Sequence, residues 1–331
     1  PIGWIYMKMI VNKQWYWPIL VAVLISGCAG NAVKKQEAQV PEQPANPLLY
    51  NTLIAEIAGH RGDLKQSVVY YKKVIDTTND IDIIKRAARI MVFSKDYPAA
   101  NRAVNRWLQL KPTDIEARQV ATTTSLHQGD IDSAVMHLEW LLGQAKDHRQ
   151  GFQLIAALLE RVPDNQTAVA AMEEMSSRYP DVIEGHIYLA RLAHEAKQYE
   201  LAVSAATQAR QLDENSADAY ISLARAQIEL GDTEQALQSL DHLLQQEPDN
   251  AELRLTYARM LMTVNRYESS LAQFEILIKQ SPDNADLVYS AALLYMQVNS
   301  YTAAEKSLKK LLKLGKHEQE AWYYLGRVAE K

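Results

Sequence analysis

Cysteine occurs once in the 331 residues, at Cys28, which excludes an internal disulfide and any multi-cysteine metal centre. Glycine (12) and phenylalanine (3) are also few, while Ala, Leu, Gln and Glu are plentiful, a balance that favours helix. Neither sign of charge dominates. The formal net charge is −5 and basic residues are interspersed with acids, so nothing electrostatic points to a nucleic-acid partner. Catalytic constellations are missing as well. The 8 histidines are scattered, with no His-Glu-x-x-His, no Gly-x-Ser-x-Gly and no phosphate-binding loop. His186 and His194 share one helical segment, but at places that read as buried and surface-facing, so no metal site is expected there. No catalytic residue, cofactor or small-molecule substrate is therefore expected. What is present is an apolar content of 48%, enough for a continuous core.

The N-terminus reads as an address. Lys8 and Lys13 precede an apolar run from Trp15 to Ile25, followed by Ser26-Gly27-Cys28-Ala29, the layout of a bacterial secretory signal. Ile25-Ser26-Gly27-Cys28 resembles a lipobox, in which the cysteine thiol receives a diacylglycerol and becomes the new N-terminus. An uncleaved membrane anchor is the alternative, since Gln14 to Val33 carries no charge. Pro18, Ser26, Gly27 and Asn31 make that stretch a poor span. In both cases the basic end stays in the cytoplasm and the rest is exported. Ala29, where Asp would favour inner-membrane retention, implies by the lipobox resemblance the periplasmic face of the outer membrane. The expected layout is a signal peptide over 1–27, a lipidated Cys28 with a tether over 28–46, and a folded region over 47–331. The tether has only Val33 and Val40 as sizeable apolar groups and cannot offset its ordering entropy. Because the sequence opens on Pro1 and stops at Lys331 within a helical pattern, it is expected to be a piece of a longer chain, starting at Met7 or Met9.

From Pro47 onward one 34-residue pattern repeats in phase, with units beginning at Pro47, Ile81, Ile115, Arg149, Ile183, Ala217, Ala251 and Ala285 and a ninth at Gln319. The eighth place is small in Ala88, Ala156, Ala190, Ala224, Ala258, Ala292 and Gly326. The twentieth is small in Ala100, Ala134, Ala168, Ala202, Ala236, Ser270 and Ala304. Two antiparallel helices approach closely only where neither presents a large side chain, so these two places define a helix-to-helix contact. Larger apolar groups such as Tyr257, Phe274 and Leu277 fill the seventh, twenty-fourth and twenty-seventh places. Gly129-Asp130 and Gly231-Asp232 mark turns, and Pro112, Pro180, Pro248 and Pro282 stop the second helix. Ile54, Thr122 and Gln66 break the pattern, and the first unit fits better with one residue added before Ser67.

This signature resembles the tetratricopeptide repeat (TPR), which implies an all-α, right-handed superhelix of helix-turn-helix pairs, here eight repeats and the start of a ninth. The resemblance implies that the second, fifth, ninth and twelfth places of each first helix line a concave groove. The second place is mostly acidic and the ninth is Arg89, Arg191, Arg225, Arg259 and Arg327. An internal ladder of ion pairs and a set of donors for a partner are both open readings. The fifth place turns from Asn51, Lys85, Gln119 and Gln153 to Ile187, Ile221, Leu255, Tyr289 and Tyr323, and the twelfth adds Ile228, Met262 and Met296. Winding that half-buries the stripe is one reading; apolar anchors flanked by arginines for a partner segment are the other. Such a groove would take periplasmic or envelope proteins.

Leu49 to Leu64, Tyr70-Tyr71 and Ile84 to Ile90 are similar to the opening of outer-membrane TPR lipoproteins of gammaproteobacteria. These act as adaptors between a periplasmic carboxyl-terminal processing protease and its cell-wall-hydrolase substrates. A pilotin-like or cell-wall-synthase-activating TPR lipoprotein, or the TPR part of a larger enzyme such as a glycosyltransferase, are the alternatives.

Overall fold

The computed structural model describes residues 46–331; the signal-like run, Cys28 and nearly all of the tether lie outside them. Seventeen helices and no strand make up the described residues. The first pair is α1 (Pro47–His60) with α2 (Leu64–Lys72), followed by α3 (Ile81–Phe93) with α4 (Tyr97–Leu110) and α5 (Ile115–His127) with α6 (Ile131–Gln144). Next come α7 (His148–Leu159) with α8 (Asn165–Arg178) and α9 (Ile183–Glu195) with α10 (Tyr199–Leu212). The chain continues through α11 (Ala217–Leu230) with α12 (Thr233–Gln246) and α13 (Ala251–Thr263) with α14 (Tyr267–Gln280). It closes with α15 (Ala285–Gln297), α16 (Tyr301–Leu314) and α17 (Glu318–Ala329). Each helix packs on its chain neighbours, and α7, α9, α11 and α13 also pack successively on one another.

Helix starts follow from local chemistry. A short polar side chain ahead of the first turn accepts one of the amides that have no intrahelical partner. Asp147 Oδ1 accepts from Gln150 N at 2.8 Å and Asn250 Oδ1 from Leu253 N at 2.9 Å. Asp63, Asp96 and Asp130 do the same for α2, α4 and α6. The turns inside the pairs share one geometry that the residue types conceal. Gly62, Gly129 and Gly231 take positive φ, and so do Lys95 (61°), Lys197 (60°), Asn265 (61°) and Asn299 (58°) at the same repeat place. After Lys197, Gln198 N donates to Ala193 O at 2.8 Å, closing the six-to-one bond of a left-handed helix cap. A lysine held there costs on the order of 1 kcal/mol relative to glycine.

The small-residue contact lies where the repeat put it. Ala88, Ala100, Ala134, Ala202, Ala236, Ala258, Ala292 and Ala304 are fully buried. Thr122 fits among them because its hydroxyl donates back to Arg118 O at 2.9 Å, within its own helix. In the first unit the buried small residue is Ala55 rather than Ile54, and its partner is Ser67. Ser67 Oγ donates to Ala55 O at 2.8 Å, and Ser270 Oγ to Ala258 O at 2.7 Å. The two pairs are equivalent, so the first unit is offset by one residue, as its sequence implied.

A second device joins successive units. The carbonyl of the proline after an even-numbered helix meets an arginine or histidine side chain of the following unit. Arg118 Nη2 reaches Pro112 O at 3.2 Å, His186 Nε2 lies 2.9 Å from Pro180 O, and Arg254 Nη2 reaches Pro248 O at 2.7 Å. All three occupy the fourth place of the repeat. Unpaired carbonyls concentrate at the C-terminal end of a helix, and a positive group there is stabilising. Arg254 is buried with no carboxylate; Gln273 Oε1 accepts its other amino group at 2.7 Å.

Candidate functional site

The odd-numbered helices stand side by side and turn the same repeat places to one face. Ile187 and Arg191 of α9, Ile221 and Arg225 of α11, and Glu252 and Thr256 of α13 line a single cavity of about 430 Å³. Arg225 and Thr256 also line the next cavity, about 360 Å³, together with His194, Ile228 and Arg259. The two cavities therefore form a continuous channel across three odd-numbered helices, with Arg225 at their junction. Further along, Met296 and Arg327 line a third cavity of about 260 Å³ with Tyr301 and Tyr324.

The arginines divide into two sets. Arg89 Nε donates to Glu116 Oε1 at 2.9 Å, the acid at the second place of the next unit. Arg191 is bound to Glu160 and lies 4.9 Å from the Tyr188 ring centre, so its charge too is paired internally, although its buried Nε has no acceptor among the described residues. Burial, more than the charges around it, holds the Tyr188 hydroxyl above its usual range. Arg225, Arg259 and Arg327 make no ion pair among the described residues. The internal ladder thus holds for Arg89 and Arg191 and does not extend to Arg225, Arg259 and Arg327 among the described residues.

The apolar stripe is half-buried from Ile187 to Tyr289 and exposed at Tyr323. Ile221 and Ile228 pack against the cluster that contains Leu240 and Leu253, and Leu255 and Met262 against the one that contains Phe274. Leu255, Met262, Tyr289 and Tyr323 line none of the three cavities. Tyr289 is stacked on His317, with ring centres 4.7 Å apart at 8°, and His317 Nε2 lies 2.8 Å from Asp286 Oδ1. That contact occupies the ring face of Tyr289. Tyr323 is 63% exposed and its neighbour Trp322 65%. The sequence reading did not select Glu229, Thr256 and Thr263, which line the channel from the sixth and thirteenth places. They escape a list of inward places because the channel runs between neighbouring helices, where residues flanking the stripe also reach it.

Among the described residues no group of His, Cys, Asp and Glu is placed to hold a metal ion, and no helix is long and apolar enough to cross a membrane.

One tetratricopeptide-repeat model matches residues 193–244 and 231–278, and a second matches 289–331. The described residues form an all-α solenoid of eight helix pairs and a seventeenth helix, and within it 193–278 and 289–331 match the tetratricopeptide repeat. Among solved structures, the chain is similar to a tetratricopeptide repeat protein from Parabacteroides merdae, at 15% identity and a TM-score of 0.43, over 75% of this chain and 98% of that one. It is also similar to YrrB, described as a TPR protein with an unusual peptide-binding site, at 18% identity and a TM-score of 0.40, over 56% of this chain and 96% of that one. No curated protein matches the chain.

Proposed function

We propose that the protein is a scaffold that holds a segment of a partner protein in the channel between α9, α11 and α13. The observation that carries this reading is the pair Arg225 and Arg259. They are exposed, make no ion pair with a carboxylate among the described residues, and flank the apolar Ile221 and Ile228. A guanidinium presents a fork of donors to carboxylates and backbone carbonyls, and half-buried aliphatic groups supply apolar anchors beside it.

The finer proposal is an adaptor fixed by a lipid on Cys28 to the periplasmic face of the outer membrane, bringing a carboxyl-terminal processing protease to cell-wall hydrolases. It is supported by the lipobox-like Ile25 to Cys28 and by the likeness of Leu49 to Ile90 to such adaptors. Co-purification from envelope extracts with mass spectrometry tests the partner. A protease and a peptidoglycan hydrolase are expected with the natural chain, and both should be lost with Arg225→Glu plus Arg259→Glu in a folded protein. Capture that survives the double substitution rejects the channel; recovery of a secretin alone rejects the adaptor. The anchor is tested separately. Cys28→Ser should abolish labelling by radioactive palmitate, and undiminished labelling rejects lipidation at this residue.

A further inference from the structure

A cavity of about 830 Å³ is lined chiefly by the even-numbered helices α14 and α16, away from the channel. Its floor is apolar, formed by Ile278, Val288 and Ala303 with the Tyr295 ring. Its rim carries five lysines, Lys279, Lys306, Lys309, Lys310 and Lys313, against two carboxylates, Glu275 and Glu305. Internal contacts account for part of this set. Lys309 pairs with Glu305, Lys310 donates to Pro282 O, and Glu275 Oε1 accepts from the Tyr295 hydroxyl at 2.6 Å. Lys279, Lys306 and Lys313 have no acidic partner among the described residues.

The repeat itself does not require these lysines. One unit earlier, the places of Lys306, Lys309 and Lys310 hold Ala272, Glu275 and Ile276. The corresponding groove between α12 and α14 is about 420 Å³ and is lined by Glu234, Asp241 and Arg266. Uncompensated like charges around one groove, here drawn from two successive repeats, repel each other and would be relieved by an acidic partner.

We propose that this groove docks an acidic amphipathic helix of a partner protein. Apolar side chains of that helix would cover Ile278 and Tyr295 while its carboxylates meet Lys279, Lys306 and Lys313. Lys306 and Lys313 lie two turns apart along α16, about 10 Å, which sets the spacing of the partner's acids at seven residues. A recessed apolar floor and two carboxylates on the same rim suit a helix better than a flat anionic bilayer, whose phosphates those carboxylates would repel.

The test is fluorescence anisotropy of the full chain with a labelled helical peptide that carries leucines on one face and glutamates seven residues apart. Binding is expected, weakened about tenfold or more by Lys306→Glu with Lys313→Glu, by glutamine in place of the peptide's glutamates, and by raising salt from about 50 to about 500 mM. Circular dichroism checks folding, and Lys306→Gln with Lys313→Gln is the milder variant if the reversal unfolds α16. Lys146→Glu, on the exposed turn between α6 and α7 and outside both sites, should leave the affinity unchanged. Binding that is lost with Arg225→Glu plus Arg259→Glu but kept in the lysine variants places the peptide in the channel and overturns the proposal. Affinity that survives both lysine variants overturns the proposal. So does lysine-dependent binding to phosphatidylglycerol vesicles with no binding to the peptide.

Discussion

Replacing Trp107 by alanine is expected to lower the free energy of unfolding by about 3–5 kcal/mol, the range for a large aromatic side chain removed from a close-packed interior. Trp107 is fully buried on α4, within the cluster that contains Ile84, Met91 and Val104. It also joins two repeats. Its indole Nε1 donates to Asp114 Oδ2 at 3.1 Å, while Asp114 Oδ1 caps α5 by accepting from Ala117 N at 3.1 Å. Lys85 Nζ sits 4.7 Å from the centre of the indole and 3.4 Å from Asp114. Burial pushes the Asp114 carboxyl up, but the Ala117 amide, the indole and Lys85 together hold it below the usual carboxylate range. The alanine variant thus leaves a cavity and removes the indole bond that helps to hold the capping Asp114 in place. Trp107→Phe separates the two effects, because it keeps most of the volume and loses only the indole bond, about 1 kcal/mol. Urea unfolding followed at 222 nm measures both. A solenoid is coupled mainly between neighbouring units, so the loss should appear as an earlier transition of the N-terminal repeats. A shift below about 1 kcal/mol for the alanine variant would show that Trp107 does not hold the second and third units together.

The second large effect is a loss of stability in mild acid, centred on His137. This side chain is 6% exposed and its Nδ1 lies 3.1 Å from Arg118 Nη1. Burial first, and the Arg118 charge second, press its pKa from 6.5 down to about 4; Asp130, the carboxylate facing it, opposes them weakly. The folded state therefore binds the proton less readily than the unfolded chain. Its contribution is fully present above pH 6.5 and is lost as pH falls through about 4, amounting to about 3 kcal/mol at most. The molecule itself supplies the control. At the equivalent place beside Arg254 stands Gln273, which accepts the same arginine nitrogen and does not titrate. His137→Gln should therefore retain the bond to Arg118 and flatten the dependence between pH 6.5 and 4. Carboxylates such as Asp130, held low chiefly by the Ser133 hydroxyl and amide, release their contribution at lower pH in both proteins. Equal slopes for the two proteins above pH 4 would remove His137 as the cause.

Much of the architecture could be read from residue types. The spacing of Ala88 to Ala100, or of Ala258 to Ser270, is a packing constraint, because a larger side chain at either place would hold the two helices apart. Aspartate and asparagine at the helix starts act within three residues of chain and need no tertiary partner. The offset of the first unit was visible too, since Ser67 was the small residue nearest the expected place.

The left-handed turn residues Lys95 and Lys197 were not legible. Lysine does not favour positive φ, and only the packing of α3 on α4 and of α9 on α10 forces it there. The two fates of the arginine ladder escaped the sequence for a related reason. Arg191 and Arg225 occupy the same place, yet only Arg191 meets a carboxylate, Glu160. The twelfth place of the preceding unit supplies that acid before Arg191, but it is His194 before Arg225 and Ile228 before Arg259. The acid at the second place of the next unit, which Arg89 meets in Glu116, also stands there as Glu252 and Asp286. Whether an arginine reaches it depends on how neighbouring units lie.

The chain's own order of residues was enough for the helices, their pairing and the side each one buries, because those follow from contacts a few residues apart or one repeat apart. The channel, its free Arg225 and Arg259, and the lysine-rimmed groove between α14 and α16 required the stacked molecule. Each is assembled from side chains of two or three repeats, and the distances between those side chains are set by how the helices lie against one another.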